Sequence, residues 1–272
     1  MFLLPEIIAV ANQKGGVGKT SLSVNLSAGI AHLLSSRQMR VLVVDSDHQA
    51  NATYLLSTEN IDYQASLASI YQDDLLEEPE QLIMETRIPC LDLVPASPFM
   101  ASEEMRLADR ERKGERLKLF LNAVRRNYSL IFIDCPPAIN LFVLNAFFAA
   151  TRVLVPLPPE DLAIQGFEQL MNQVHAVREV NSGLSFLGVV LNMFTERVLV
   201  QKEIRTYLEE EFGEKLLGIM HRSVKIQEAE AMRMTLLEYA PRSRSFQENQ
   251  LLSRRILQEL GLVGHDSEEI QI

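Results

Sequence analysis

The sequence predicts an α/β fold: a mostly parallel, twisted sheet with helices on both faces. Three observations carry this. Apolar runs of strand length alternate with stretches of helical periodicity from Ile7 to Met220. Several runs are continuously apolar, as in Val41-Leu42-Val43-Val44 and Leu130-Ile131-Phe132-Ile133, which suits strands covered on both faces. The first run leads directly into Asn12-Gln13-Lys14-Gly15-Gly16-Val17-Gly18-Lys19-Thr20-Ser21, a glycine-rich turn that opens a helix. A length of 272 residues suits one domain, with residues 261–272 as a flexible acidic tail.

The elements follow in order. Ile7–Ala11 is the first strand, and Val24, Leu26, Ile30, Leu33 and Leu34 give the next helix its apolar face to about Ser36. Arg40–Asp45 is a second strand, residues 57–90 are irregular and partly acidic, and Leu91–Pro95 is a third strand. Residues 102–127 read as a single charge-rich helix striped by Leu107, Leu117, Phe120, Leu121 and Val124. Its acids interleave with its bases, the pattern of a solvated face. Strands at 130–134, 153–156, 186–191 and 216–220 then alternate with helices at 140–150, 161–180 and 199–212. The sequence shows no internal repeat and no low-complexity linker.

The glycine-rich turn has the composition of a phosphate cradle. Its glycines let successive backbone N–H groups converge on phosphate oxygens without obstruction by Cβ. Lys19 would place a point charge on the β- and γ-phosphates, and the Thr20 hydroxyl would take one position on Mg²⁺. Two strands end in acids, at Asp45-Ser46-Asp47 and at Asp134, where open α/β sheets bind ligands. Asp134 would bind the metal through water. Cys90 and Cys135 lack metal-ligand spacing, and Cys135 reads as a plain buried thiol.

The turn departs from Gly-x-x-x-x-Gly-Lys-Thr in having Gln13 at the first glycine position and a second lysine, Lys14, before the double glycine. The form Lys-Gly-Gly-Val-Gly-Lys-Thr resembles the deviant Walker A box of the ParA/MinD family of P-loop ATPases. Asp45-Ser46-Asp47-His48-Gln49-Ala50-Asn51 resembles that family's Asp-x-Asp-Pro-Gln-Gly-Asn, with His48 and Ala50 in place of proline and glycine. Asp134-Cys135-Pro136-Pro137 resembles its Walker B segment. His221-Arg222-Ser223-Val224-Lys225-Ile226-Gln227-Glu228-Ala229 resembles the Pro-Arg-Asn-Val-Arg-Leu-Ser-Glu-Ala run of ParA/Soj partition ATPases, with His221 in place of proline.

The resemblance spans Ile7 to about Leu260 and implies a P-loop ATPase with ATP and Mg²⁺ as cofactors. Lys14, Gly15, Gly16, Val17, Gly18, Lys19, Thr20 and Ser21 would hold the phosphates, and Asn192 would approach adenine. Thr20, Asp45 and Asp134 would surround the metal, and Asp47 would hold the attacking water. Lys14 of each subunit would reach its partner's nucleotide, so that ATP switches on a homodimer with slow basal turnover. The dimer would bind DNA non-specifically through Arg197, Arg222 and Lys225. Local charge adds Arg242, Arg254 and Arg255. Hydrolysis stimulated by a ParB-like partner or cargo adaptor would release it.

Net charge is −10, yet the bases are unevenly spread. Residues 221–260 hold 7 Lys/Arg against 5 Asp/Glu, leaving room for a basic surface in an acidic chain. The last twelve residues carry three acids and no base, which disfavours a MinD-like basic membrane helix. With no apolar run of spanning length and no signal segment, the expectation is a cytoplasmic protein, and the DNA binding that the resemblance implies would associate it with the nucleoid. With no DNA-binding extension read before Ile7, sequence-specific operator binding is not expected in this chain. A metabolic P-loop enzyme is the remaining alternative, and the sequence offers no substrate pocket for it.

Overall fold

The computed structural model describes residues 4–58, 65–72, 78–108, 112–160 and 162–264. Its order is β1 (Glu6–Val10), α1 (Lys19–Leu34), β2 (Val41–Asp45), α2 (Asn51–Leu56), α3 (Ala68–Gln72), β3 (Met84–Glu85), β4 (Leu91–Val94), α4 (Met100–Ala108), α5 (Arg116–Val124), β5 (Leu130–Asp134), α6 (Leu141–Ala149), β6 (Arg152–Leu157), α7 (Leu162–Arg178), β7 (Ser185–Phe194), α8 (Leu199–Phe212), β8 (Leu216–His221), α9 (Val224–Ala231), α10 (Leu236–Tyr239) and α11 (Arg244–Glu259).

One eight-stranded sheet runs in the order β3-β4-β2-β5-β1-β6-β7-β8. Every pairing is parallel except that of β3, a two-residue edge strand antiparallel to β4. Side-chain alternation splits the core into two layers. Ile7, Ala9, Ile131 and Ile133 pack under the layer of α3 to α8, while Ile8, Val10, Val41 and Phe132 pack under α1, α2 and α11. All five residues of β2 and of β5 are buried, the burial that their uninterrupted apolar runs predict. The register places Asp45 beside Asp134 and Val10 beside Asp134, so the acids and the glycine-rich turn share the C-terminal end of the central strands.

The helix expected over 102–127 is instead two helices, α4 and α5. Asn145 of α6 explains the restart. Its Oδ1 accepts from the Leu117 amide at 3.2 Å, and its Nδ2 donates to the carbonyls of Lys113 and Leu141 at 2.7 and 2.8 Å. A Cβ on Gly114 would come within 3.0 Å of the Phe148 ring, so the turn is pressed directly onto α6. The acidic stretch at 73–77 and most of the expected tail lie outside the described residues.

Asn145→Ala leaves the Leu117 amide and the Lys113 carbonyl without this partner in a buried joint. It should cost about 2–3 kcal/mol and lower Tm by roughly 5–10 °C, measured by thermal unfolding monitored by circular dichroism.

Candidate nucleotide-binding site

The turn between β1 and α1 is shaped by two glycines in the left-handed region, Gly16 at φ 74° and Gly18 at φ 82°. A side chain on Gly18 would also collide with Asn192, whose Nδ2 would lie 2.5 Å from an added Cβ. Two asparagines fix the turn from below. Asn12 donates through Nδ2 to the Pro156 carbonyl (2.7 Å) and accepts through Oδ1 from the Lys14 amide (2.9 Å). Asn192, near the end of β7, donates to the Val17 carbonyl at 2.8 Å. The turn is thus tied to β6 and β7 before any ligand arrives.

Lys19 begins α1 and is buried, with Nζ donating to the Lys14 carbonyl at 3.0 Å. Burial lowers its pKa, against the opposing pull of Asp134, Cys135 and Asp47. Lys14 points elsewhere: it is solvent-exposed and ion-paired with Glu160, which follows β6. It is absent from the lining of the cleft that Lys19 faces.

The three acids are not equivalent. Asp45 Oδ1 accepts from the Asp47 amide at 3.2 Å, and Oδ2 accepts from both the amide and the hydroxyl of Thr53 at 2.7 Å. Asp45, expected at the metal shell, holds the loop through these three bonds. Asp134 Oδ1 accepts from Ser23 Oγ at 3.0 Å, while its fully buried Oδ2 has no partner among the described residues. Burial raises the pKa of both carboxyls, and for Asp134 the adjacent Asp45 charge adds to it. A fully buried carboxyl with one oxygen short of a close donor, and with the Thr20 hydroxyl near it, fits a hard divalent cation. Asp47 is buried and accepts at Oδ1 from the Gln49 amide at 3.0 Å.

Ala50, where the resembling motif has glycine, lies at φ 54° and ψ 36°. The glycine-type path is kept at the cost of strain. His221, where the motif has proline, closes β8 and is held by Glu248, which accepts from its backbone amide at 2.9 Å and pairs with Nδ1 at 2.7 Å.

A cleft of about 760 Å³ joins these parts. It is lined by Gly15, Gly16, Gly18, Lys19, Thr20, Ser21, Asp47 and Asn192 from the expected nucleotide and catalytic set, and by Arg222 from the expected DNA set. Val17 turns into the core, and Asp45 and Asp134 form the closed floor. The other basic candidates are dispersed. Lys225 pairs with Glu228 at 2.7 Å and lies over the Tyr239 ring, and Arg255 pairs with Glu259 at 2.8 Å. Arg197 and Arg242 are exposed with no ion pair among the described residues. Arg254 is half-buried on α11, whereas Arg242 lies in the turn that precedes that helix. Asn12, Thr53 and Glu160 were not anticipated. Of these only Glu160 carries a signal, as a third acid beyond a strand end.

A parallel sheet, a glycine cradle, a buried lysine and a floor acid with a free oxygen define a P-loop nucleotide-binding protein. A family model described as an AAA domain matches residues 5–186. The chain is 37% identical to the sporulation initiation inhibitor protein Soj of Bacillus subtilis over 88% of this chain and 93% of that protein. It is 32% identical to the chromosome partitioning protein ParA of Caulobacter vibrioides, over 93% of this chain and 94% of that one. Among solved structures, cobyrinic acid a,c-diamide synthase from Mycobacterium smegmatis, with bound ATP analogue and magnesium, superposes with a TM-score of 0.70 at 26% identity. The match covers 89% of this chain and 98% of that one. The chain belongs to the ParA/Soj family of P-loop ATPases.

Two outcomes follow from the geometry. Gly18→Ala forces a Cβ into a left-handed position against Asn192 and should abolish nucleotide binding in a fluorescent-analogue titration. Asp134 has a raised folded-state pKa, so its stabilising protonated form is fully present below the ordinary carboxylate range near 4 and is lost as pH rises through the raised value. Asp134→Asn should therefore raise the ligand-free Tm at pH 8 by about 2–4 °C, while removing the extra stabilisation that magnesium and nucleotide give together.

Proposed function

We propose that this chain is a Mg²⁺-dependent ATPase that partitions or positions a cargo, with ATP acting as the switch for a homodimer that holds DNA non-specifically. The observation that carries this reading is the division of labour between two lysines of one turn. Lys19 serves the chain's own cleft, whereas Lys14 stands outside it on the surface, paired with Glu160. A cation so placed is positioned to complete the charge stabilisation of a second subunit's nucleotide.

In this reading the loop amides and Lys19 hold the phosphates, and Asp47 orients the water for in-line attack. Thr20 and Asp134 would hold the metal, which would supply positive charge against the phosphates. Asp45 keeps Asp47 in place through its bonds to Thr53 and the Asp47 amide. Phosphoryl transfer needs an oriented nucleophile and neutralised oxygens more than covalent help, which suits a slow enzyme awaiting its partner. Arg197, Arg222 and Arg242 are the exposed cations best placed to meet DNA phosphates, with Lys225, Arg254 and Arg255 contributing less because of their existing neighbours. A ParB-like or cargo-bound partner would accelerate hydrolysis and release the dimer from the nucleoid. The described helices include none long and apolar enough to cross a membrane.

Lys14→Ala should retain ATP binding but lose ATP-dependent dimerisation in light scattering, and its partner-stimulated hydrolysis should fall by about 100-fold or more. Dimerisation and stimulated turnover at the normal level would overturn the mechanism. Arg222→Glu with Arg242→Glu should weaken DNA retention for all sequences alike and flatten its salt dependence by a slope of about one per lost phosphate contact.

A further inference from the structure

Directly after the Asp47 loop comes α2, a helix of six residues whose start at Ala50 has no side-chain cap. A helix that short does not stand by its own hydrogen bonds, and its last carbonyls need donors from elsewhere. Two arginines distant in sequence supply them. Arg87, in the β3–β4 hairpin, donates to the Leu55 carbonyl at 2.7 Å and the Ser57 carbonyl at 3.4 Å. Arg233 donates from Nε to the Tyr54 carbonyl at 3.1 Å and from Nη2 to Ser57 Oγ at 3.1 Å. Its guanidinium also lies 4.5 Å from the centroid of the Tyr54 ring. Both cations sit at the C-terminal end of α2, the favourable pole of the helix dipole.

The same two arginines bind each other's surroundings. Arg87 donates to the Arg233 carbonyl and, through Nε and Nη2, to both carboxylate oxygens of Glu238 at 2.5 and 3.2 Å. Glu238 closes a capping box with Thr235 at the start of α10, and Arg233 occupies the α9–α10 turn at φ 54°. Burial pushes the Glu238 carboxyl up, yet Arg87 and the Thr235 amide hold it below its ordinary value. Tyr54 and Leu55 of α2 line the cleft opposite Ile226, Gln227 and Glu230 of α9. One end of α2 therefore carries the Asp47 loop, and its other end is bolted to the segment that bears Arg222 and Lys225.

We propose that Arg87 and Arg233 are positioning residues: they clamp α2, and with it the Asp47 loop, to the α9–α10 turn, so that the loop's response to nucleotide is passed to the basic C-terminal segment. This rests on the reading of Asp47 and Arg222 given above. A donor fork of this kind loses its geometry abruptly when α2 slides by a fraction of a helical turn, so α2 and the α9–α10 turn move together or part.

The test compares hydrogen exchange over residues 224–239 with a non-hydrolysable ATP analogue and with ADP, alongside steady-state hydrolysis. Arg233→Asn suits the left-handed turn and removes the fork, Arg87→Gln removes the other, and Glu238→Gln keeps the shape while removing the charge on Arg87. The wild type should show nucleotide-dependent protection there. The arginine variants should bind nucleotide within about threefold of wild type, yet lose that difference and drop kcat about tenfold with KM little changed. Should Arg87→Gln unfold, Arg233→Asn and Glu238→Gln carry the same comparison. A wild-type protection difference and kcat in both Arg233→Asn and Glu238→Gln would overturn the clamp. A wild type that retains DNA equally with ATP and ADP would instead overturn the functional reading, and the exchange comparison would still decide the clamp.

Discussion

The dominant constraint is the burial of two carboxylates side by side beneath a glycine turn. Asp45 and Asp134 are paired in register on adjacent parallel strands and have no exposed surface. An unpartnered carboxylate in such a place is among the costliest groups a protein can hold. Asp45 is relieved by Thr53 and the Asp47 amide, at the expense of fixing the loop that follows. Asp134 is relieved on one oxygen by Ser23 and left open on the other. The neighbouring Lys19 has its pKa lowered by burial and is turned toward a loop carbonyl. The ligand-free site therefore stores an electrostatic debt that a divalent cation and a polyphosphate would settle together. This ties binding energy to the joint presence of metal and nucleotide.

Rigidity of the cradle follows from that arrangement. A turn with two glycines at positive φ is entropically expensive to order, and here Asn12 and Asn192 order it in advance by bonding to β6 and to Val17. Asn192 was expected to touch adenine. Asn192 lines the cleft wall, and its Nδ2 holds the cradle from β7, the second strand over from β1. The close approach at Gly18 explains why no larger residue fits there. Ala50 shows the opposite tolerance: a left-handed residue with nothing forcing glycine beyond its φ, so alanine persists with a modest strain.

Much of this was legible from the chain because continuous apolar runs and strand-end acids are local signals. The parallel core strands, the cradle and the floor acids came from residues adjacent in sequence. What was not legible depends on partners far along the chain. Asn145 breaks the charge-rich helical stretch through bonds that span about thirty residues, and the stripe of Leu107, Leu117 and Phe120 gives no hint of it. Asp45 and Asp134 look interchangeable as strand-end acids until Thr53 is seen to occupy one of them. Arg87 sits in an irregular stretch where an isolated arginine is indistinguishable from a solvated one. The placement of Arg242 ahead of α11 and of Arg254 and Arg255 near its far end was likewise invisible to a count of local charge.

The contact between Lys14 and Glu160 connects the cradle to the question of assembly. Both side chains are about half exposed, so the pair is screened and contributes little to stability on its own. Its consequence is positional: it gives Lys14 a resting place on its own subunit, and it keeps a flexible cation from folding back over the double glycine. A weak tether is what a transferable cation requires. A buried pair would cost several kcal/mol to break, whereas an exposed one yields to a more concentrated negative charge such as a triphosphate. In the proposed dimer, the negative charge of Glu160 would set how readily the second lysine leaves. The threshold for ATP-driven pairing would then depend on a surface ion pair as well as on the cradle that binds the nucleotide.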